Sequence, residues 1–202
     1  LSHETKTEKD TTMNEKYRVT ITHDANAESP REDECNLGFL ACSHSNYNMS
    51  DDGVSIEDAP SQDDDDYVML PVYMYEHGGC TISTSPFSCP WDSGQIGWIW
   101  CSFENAKEHL QNPDVTYDDI VEQLKSEIKI YDTFIRGDVF GFILEEAIYC
   151  EHSKRTEWDV IESCWGFLGY NHVDNGMVEH LPEEVRPVIQ DIEVDSPMLI
   201  GC

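Results

Sequence analysis

YDDIVEQLKSEIKIYDTFI, residues 117–135, is the stretch that decides the fold, because it predicts a single amphipathic helix. Its apolar side chains recur at spacings of three and four residues and form one stripe: Ile120, Val121, Leu124, Ile128, Tyr131 and Ile135. Thr116 is a suitable N-cap with Asp119 three residues later, and Gly137 is a natural stop just beyond the end. We therefore expect a helix over 117–135 with its apolar stripe buried.

Short segments with strand patterns surround this helix on both sides. They lie at residues 17–22, 37–41, 67–75, 80–83, 96–101, 138–149 and 158–167. Pro71 indicates that 67–75 is an edge or bulged strand. We expect the last two segments to form a hairpin around the polar residues 152–156, and a short helix at about 104–110. Runs of strands without an alternating strand–helix–strand pattern are typical of α+β proteins. The sequence thus predicts an α+β fold, with a mostly antiparallel sheet packed against one long amphipathic helix.

The chain length of 202 residues fits one domain. Residues 1–15 are polar and lack periodicity, which indicates an N-terminal arm. Residues 16–190 are expected to form a single α+β domain with an acidic loop at about 43–66. Residues 191–202 are interpreted as a C-terminal tail.

The chain is very acidic, with 41 Asp and Glu against 12 Lys and Arg and a net charge of −29. Residues 1–66 hold 17 acids and 5 bases, and residues 67–202 hold 24 acids and 7 bases, so the acidity is not confined to a tail. Such a surface excludes direct binding to nucleic acid or an anionic membrane and favours a basic partner. Halophilic adaptation is the competing explanation, although only six Ala argue against the usual halophile composition.

Eight cysteines are scattered along the chain rather than crowded into a small one. We find no charged and apolar leader pattern at the start and no run of 18 apolar residues. Free thiols in a reducing cytosol are therefore the expected state. The expected location is the cytoplasm of a host cell, with a virion as the alternative.

Two groups of residues resemble nucleophilic sites. The Ser163-Cys164-Trp165 segment resembles the motif around the papain-like nucleophile, but it lies in a predicted strand, and a core thiol is the favoured interpretation. His77, Cys89 and Asp92 flank two adjacent loops and can form a Cys-His-Asp site, but a rigid turn over 89–94 is the favoured interpretation of the second loop. We expect no enzymatic activity.

No metal or cofactor is expected. Two groups of residues could supply ligands to a soft metal ion: Cys150, His152 and Cys164 in one, and Cys35, Cys42 and His44 in the other. Neither set contains the paired Cys-x2-4-Cys knuckles of structural zinc sites. The run Asp63–Asp66 lacks the spaced ligands and turn glycine of a calcium loop.

Several blocks of this sequence resemble an uncharacterised family of small proteins from tailed phages, prophages and mobile elements. The blocks are CNLG (35–38), HSNYN (44–48), LPVYMYEHGG (70–79), TSPFSCPWDSGQIG (84–97), GDVFGF (137–142) and SCWGF (163–167). The resemblance implies an origin in a phage or mobile element rather than an activity. Ser45 and Asn46 stand where the family pattern has arginines, which puts any anion-binding role of relatives in doubt for this chain.

Charge and resemblance together favour an anti-defence inhibitor that presents carboxylates where DNA presents phosphates. Its partner would be the basic surface of a host nuclease or of a restriction or CRISPR complex. The predicted partner-binding residues are Asp63, Asp64, Asp65 and Asp66 in the loop and Asp118, Asp119, Glu122 and Glu127 on the helix. The alternative is a virion or host-takeover structural component without catalytic activity, and the oligomeric state is left open. An enzyme using the His77, Cys89 and Asp92 loops is the third hypothesis.

Overall fold

The computed structural model describes residues 10–13, 16–33 and 35–190, so most of the predicted arm and all of the predicted tail lie outside the described residues. The chain divides into two compact units. Unit 1 combines the described residues up to Glu28 with those from Gly137 onward. Unit 2 runs from Ser29 to Arg136.

Unit 1 contains a four-stranded antiparallel sheet with the strand order β1-β2-β7-β8. Its strands are β1 (Asp10–Met13), β2 (Tyr17–His23), β7 (Val139–Cys150) and β8 (Arg155–Leu168). Alternate side chains of β2 and β7, such as Val19 and Phe142, are buried on one face of the sheet. The chain after β8 contributes to this core with a 3-10 helix (Met177–His180) and a short helix, α3 (Arg186–Gln190).

Strands β7 and β8 form a long hairpin whose turn lies between Cys150 and Arg155, as the sequence predicted. The register shifts twice, between Phe140 and Phe142 and between Leu144 and Glu145. At both shifts the extra residue lies on β8, which is an edge strand of the sheet. β8 therefore carries two β-bulges.

Unit 2 contains a second four-stranded antiparallel sheet with the order β3-β6-β4-β5. Its strands are β3 (Phe39–Cys42), β4 (Tyr67–Glu76), β5 (Cys80–Ser83) and β6 (Ser93–Ser102). A short helix, α1 (Phe103–His109), continues directly from β6. The main helix, α2 (Tyr117–Ile135), buries Ile120, Leu124 and Ile128 in the core of this unit.

The predicted bounds of α2 are confirmed, including the Thr116 cap and the Thr116–Asp119 capping box. The predicted fold class, α+β with a mostly antiparallel sheet packed against one long amphipathic helix, is wrong. The strands form two separate sheets, strand residues outnumber helical residues, and α2 is one 19-residue helix within unit 2. The reason is that β2 pairs with β7, far along the chain, while β3 to β6 pair among themselves. Local patterns identify strands but not their distant partners.

No helix of the described part of the chain is both long and apolar enough to cross a membrane.

Candidate functional site

The four consecutive aspartates lie in turns immediately before β4, and all four are exposed. The backbone amide of Asp66 donates to Oδ1 of Asp64 over 3.1 Å. The carbonyl oxygen of Asp66 accepts from the amide of Phe103, at the start of α1, over 3.0 Å. Repulsion among four adjacent carboxylates favours an extended segment, but these hydrogen bonds tie the turn to the folded body of unit 2.

Asp118, Asp119 and Glu122 lie on the first turns of α2 and are exposed. Oδ2 of Asp119 accepts from the backbone amide of Thr116 over 2.8 Å and from the Thr116 hydroxyl over 2.7 Å. These two hydrogen bonds hold the pKa of Asp119 below its ordinary value. Asp119 therefore fixes the start of the helix, whereas the side chains of Asp118 and Glu122 are open to a partner.

Glu127 was also predicted to bind a partner, but its side chain is only 4% exposed. Its carboxylate accepts from the backbone amides of Leu37 and Gly38 over 2.7 and 3.1 Å. It also forms an ion pair with the buried guanidinium of Arg31. Glu127 therefore anchors the chain before β3 to α2 and does not belong to the exposed acidic surface. Glu127 lies three residues after Leu124, at the edge of the apolar stripe, and this position indicated that its side chain is buried.

An open cleft of about 1020 Å³ lies beside the aspartate turn. Among the described residues that line it, Asp66, Glu104 and Glu108 contribute carboxylates and Lys107 is the single cation. The sequence predicted Asp66 as a binding residue and a helix over the α1 segment. It did not predict that Glu104 and Glu108, which lie one helical turn apart on α1, line the same cleft. Asp118, Asp119 and Glu122 are not among the residues that line the cleft.

Unit 2 carries few positive charges to compensate its carboxylates. Between Ser29 and Arg136 there are 21 Asp and Glu but only five Lys and Arg, a net charge of −16. Arg31 is buried in its own ion pairs, and Arg136 lies 3.8 Å from Asp132. Among the residues that the structure describes, the exposed carboxylates of Asp63–Asp66, Asp118 and Glu122 form no ion pair with a Lys or Arg.

The structure brings His77, Cys89 and Asp92 together. Nδ1 of His77 lies 3.2 Å from Oδ2 of Asp92, and the Cys89 thiol donates to the same oxygen over 3.8 Å. The carboxylate is thus the partner of both groups, whereas Cys-dependent catalysis requires a contact between thiol and base. The His77 side chain is 67% exposed, so this group lies on the surface rather than in a closed pocket.

Cys164 lies in the middle of β8 and packs against the core of unit 1. Its thiol donates weakly to the carbonyl oxygen of Trp165 at 4.0 Å. The papain-like nucleophile that its motif resembles lies at a helix N-terminus, where the backbone dipoles favour a thiolate. This local geometry agrees with the interpretation of Cys164 as a core thiol.

Within the described ranges, no three His, Cys, Asp or Glu side chains are arranged to hold a metal ion. The two candidate ligand sets, Cys150, His152 and Cys164 and Cys35, Cys42 and His44, are therefore not assembled into such a group. The seven described cysteines are all free thiols.

Comparison of this chain with protein-family models, with curated proteins and with solved structures gives no match. The resemblance to the phage and mobile-element family therefore stays a prediction.

Proposed function

We propose that this chain is an acidic binding protein of a phage or mobile element, which inhibits host defence by imitating the charge of nucleic acid. Its target would be the basic groove of a nuclease or of a restriction or CRISPR complex in the host cytoplasm. The observation that supports this proposal is the set of exposed carboxylates in unit 2, which lie on ordered elements and form no ion pair with any Lys or Arg that the structure describes.

The carboxylates of Asp118 and Glu122 are held by a capped helix, and the Asp63–Asp66 turn is hydrogen-bonded to the start of α1. A helix of 19 residues is about 28 Å long. Duplex DNA carries about one phosphate charge per 1.7 Å of axis. A groove shaped for such a polyanion would accept ordered carboxylates at a lower entropic cost than those of a flexible acidic tail.

The charge distribution also favours fast association with a basic target. Unit 2 alone has a net charge of −16, so its field would attract a cationic groove over distances near the Debye length, about 8 Å at physiological salt. The same field repels DNA and RNA. The proposed protein would therefore bind the enzyme and not its substrate.

Capture from host lysate followed by competition tests this function. The tagged chain is used to isolate partners, and the affinity for each purified partner is measured at low and high ionic strength with and without duplex DNA. We expect the affinity to fall steeply as the salt concentration rises. We also expect DNA to displace the chain from the partner, and the chain to displace DNA. Affinity that is flat with salt and indifferent to DNA would contradict the proposal.

A second candidate function is a structural component of a virion or of host takeover. The exposed apolar side chains of β8, with Val160 at 62% exposure, favour it, because such residues are typical of surfaces that another protein covers.

A further inference from the structure

The sheet of unit 1 has two unlike faces. One face carries the core, with Val19, Phe142 and Leu144 buried beneath the C-terminal segments. The other face, called here the outward face, comprises the alternate residues of β2, β7 and β8 that point away from this core. Val160 and Trp165 on this face are 62% and 45% exposed.

The outward face is close to neutral in a chain that is otherwise acidic. Along β2, β7 and β8, its described positions hold one cation, Arg18, and one carboxylate, Glu145. Nε of Arg18 lies 2.5 Å from Oε2 of Glu145, and a second hydrogen bond makes the pair bidentate. The guanidinium also lies over the ring of Trp158, 5.0 Å from its centroid. The two charges therefore neutralise each other on an aromatic surface.

The ring of Trp165 packs closely on the backbone of a glycine in the neighbouring strand. Its ring lies over Gly141 of β7 so closely that a Cβ atom built at Gly141 would be 2.1 Å from the ring carbon Cε3. Tyr149, further along β7, adds a second exposed aromatic at 56%. The face thus presents ordered aromatic side chains, which a partner can cover at little cost in side-chain entropy.

The edge of this sheet is a less suitable contact than its face. β8 is an edge strand of 14 residues, but its two bulges interrupt the regular row of backbone donors and acceptors. The side chains of Glu157, Asp159 and Glu162 also place negative charge along this strand. Bulges and charges of this kind are the usual protection of edge strands against pairing. A partner would therefore contact the outward side chains rather than extend the sheet.

We propose that the outward face of unit 1 is a dimerisation surface covered by the same face of a second copy of this chain. Two copies with a net charge of −29 each repel one another over most of their surface. They can meet at low electrostatic cost where the surface is neutral and apolar. A two-fold contact brings the same face of both copies together, and because Arg18 and Glu145 are already paired within each copy, the contact adds no net charge.

The salt dependence of self-association tests this inference. Salt screens the repulsion between the two acidic chains, with a Debye length of about 10 Å at 0.1 M and about 3 Å at 1 M. It does not weaken apolar contacts. Sedimentation equilibrium at low and high ionic strength should therefore show dimerisation that becomes tighter as salt is added. Binding to a basic partner weakens under the same change, so the two proposals fail independently.

Substitutions at Val160 test whether this face forms the contact. Val160→Glu should weaken dimerisation about tenfold or more, since each contact would then bury an unpaired charge. Val160→Lys should weaken dimerisation to a similar extent, although this substitution reduces the net negative charge of the chain. Val160→Ser, which adds no charge, should weaken it to a smaller extent. Thermal unfolding monitored by circular dichroism checks that each variant is folded.

Val173→Glu is the matched control, because Val173 belongs to the same unit, is 49% exposed and lies outside the outward face. It should leave the dimerisation constant unchanged. A chain that stays monomeric at both ionic strengths overturns the inference. Tighter dimerisation by Val160→Lys, or equal losses from Val160→Glu and Val173→Glu, overturns it as well.

Discussion

Arg31 and Glu127 form a buried ion pair in which Nη1 of the guanidinium lies 3.0 Å from Oε2 of the carboxylate. Arg31 also donates to both carboxylate oxygens of Asp51, over 2.9 and 2.7 Å. Burial opposes the charge of Arg31, but the hydrogen bonds and charges of Asp51 and Glu127 outweigh it and raise the pKa of Arg31. One residue pair thus connects the segment before β3 with the middle of α2.

Replacing Glu127 should destabilise unit 2. Glu127→Ala removes one of the two counter-ions of Arg31 and leaves the amides of Leu37 and Gly38 without their acceptor. Breaking a buried ion pair costs about 3–5 kcal/mol, and we expect the lower end because Asp51 still neutralises Arg31. Urea denaturation followed by tryptophan fluorescence measures the change.

Glu122→Ala is the control on the same helix. Glu122 is exposed and forms no described ion pair, so this change should alter the free energy of unfolding by no more than about 0.5 kcal/mol. Equal effects of the two variants would show that Glu127 is solvated and available to a partner.

The sequence predicted the helices and hairpins of this chain better than its architecture. The bounds of α2 follow from its stripe and caps, and the β7–β8 hairpin from two apolar runs around a polar turn. Pro71 indicated an edge or bulged strand, and the register of β4 does shift just beyond it, between Val72 and Tyr73. These features are set by residues close in sequence.

The sequence did not predict the pairing of β2 or the burial of Glu127, because both depend on residues far away in the chain. Tyr17 lies opposite Glu146, and nothing local to the YRVTIT segment distinguishes this pairing from one with the strands of unit 2. Glu127 was assigned to the polar side of α2 because it is a carboxylate, whereas the buried Arg31 that pairs with it lies 96 residues earlier. An ion pair between distant residues leaves little trace in local periodicity.

Gly97 should not tolerate a side chain. A Cβ atom at this position would lie 2.0 Å from the carbonyl oxygen of Ala41 and 2.7 Å from Cα of Cys42, both backbone atoms of β3. Gly97→Ala should therefore separate β3 from β6 and lower the stability of unit 2 by about 1–3 kcal/mol. Thermal unfolding gives the loss. Gly94→Ala in the same strand has nothing within 4 Å of the added methyl group and should be close to neutral; comparable losses would contradict the close approach of β3 and β6 at Gly97.

The cysteines should differ in reactivity. Burial, followed by the charge of Asp51, raises the pKa of the Cys42 thiol to about 12. Hydrogen bonds from the Ser153 hydroxyl and from the amides of Ser153 and His152 lower the pKa of Cys150. Because the thiolate is the reactive form, iodoacetamide at neutral pH should label Cys150 early and Cys42 only after unfolding. Peptide mass spectrometry over a time course checks this order, and labelling of Cys42 before Cys150 would contradict it.

Stability should fall at alkaline pH. The Cys42 thiol has an ordinary pKa of 9.0, and burial raises it to about 12 in the folded chain. Above pH 9 the unfolded state loses this proton first and binds fewer protons than the native state, so the free energy of unfolding decreases as pH rises. The stabilisation present below pH 9 is lost between about pH 9 and pH 12. Urea denaturation at several pH values measures this decline, which should be shallower in Cys42→Ala.

Charge reversal at the two exposed acidic groups should weaken binding to a basic partner, while reversal elsewhere should not. The first variant combines Asp63→Lys and Asp65→Lys with Asp118→Lys and Glu122→Lys. It retains Asp64, which orders the turn, and Asp119, which caps α2.

The control reverses Glu151, Glu157, Glu183 and Glu184, four exposed acids of unit 1, so both variants change the net charge equally. If the acidic surface of unit 2 forms the contact, only the first variant loses affinity, and its remaining affinity depends less on salt because fewer charges are screened. Isothermal titration at two ionic strengths measures both quantities. Equal losses of affinity in the two variants would show that the partner responds to total charge rather than to these carboxylates. That result would contradict the proposal that the acidic surface of unit 2 is the binding site.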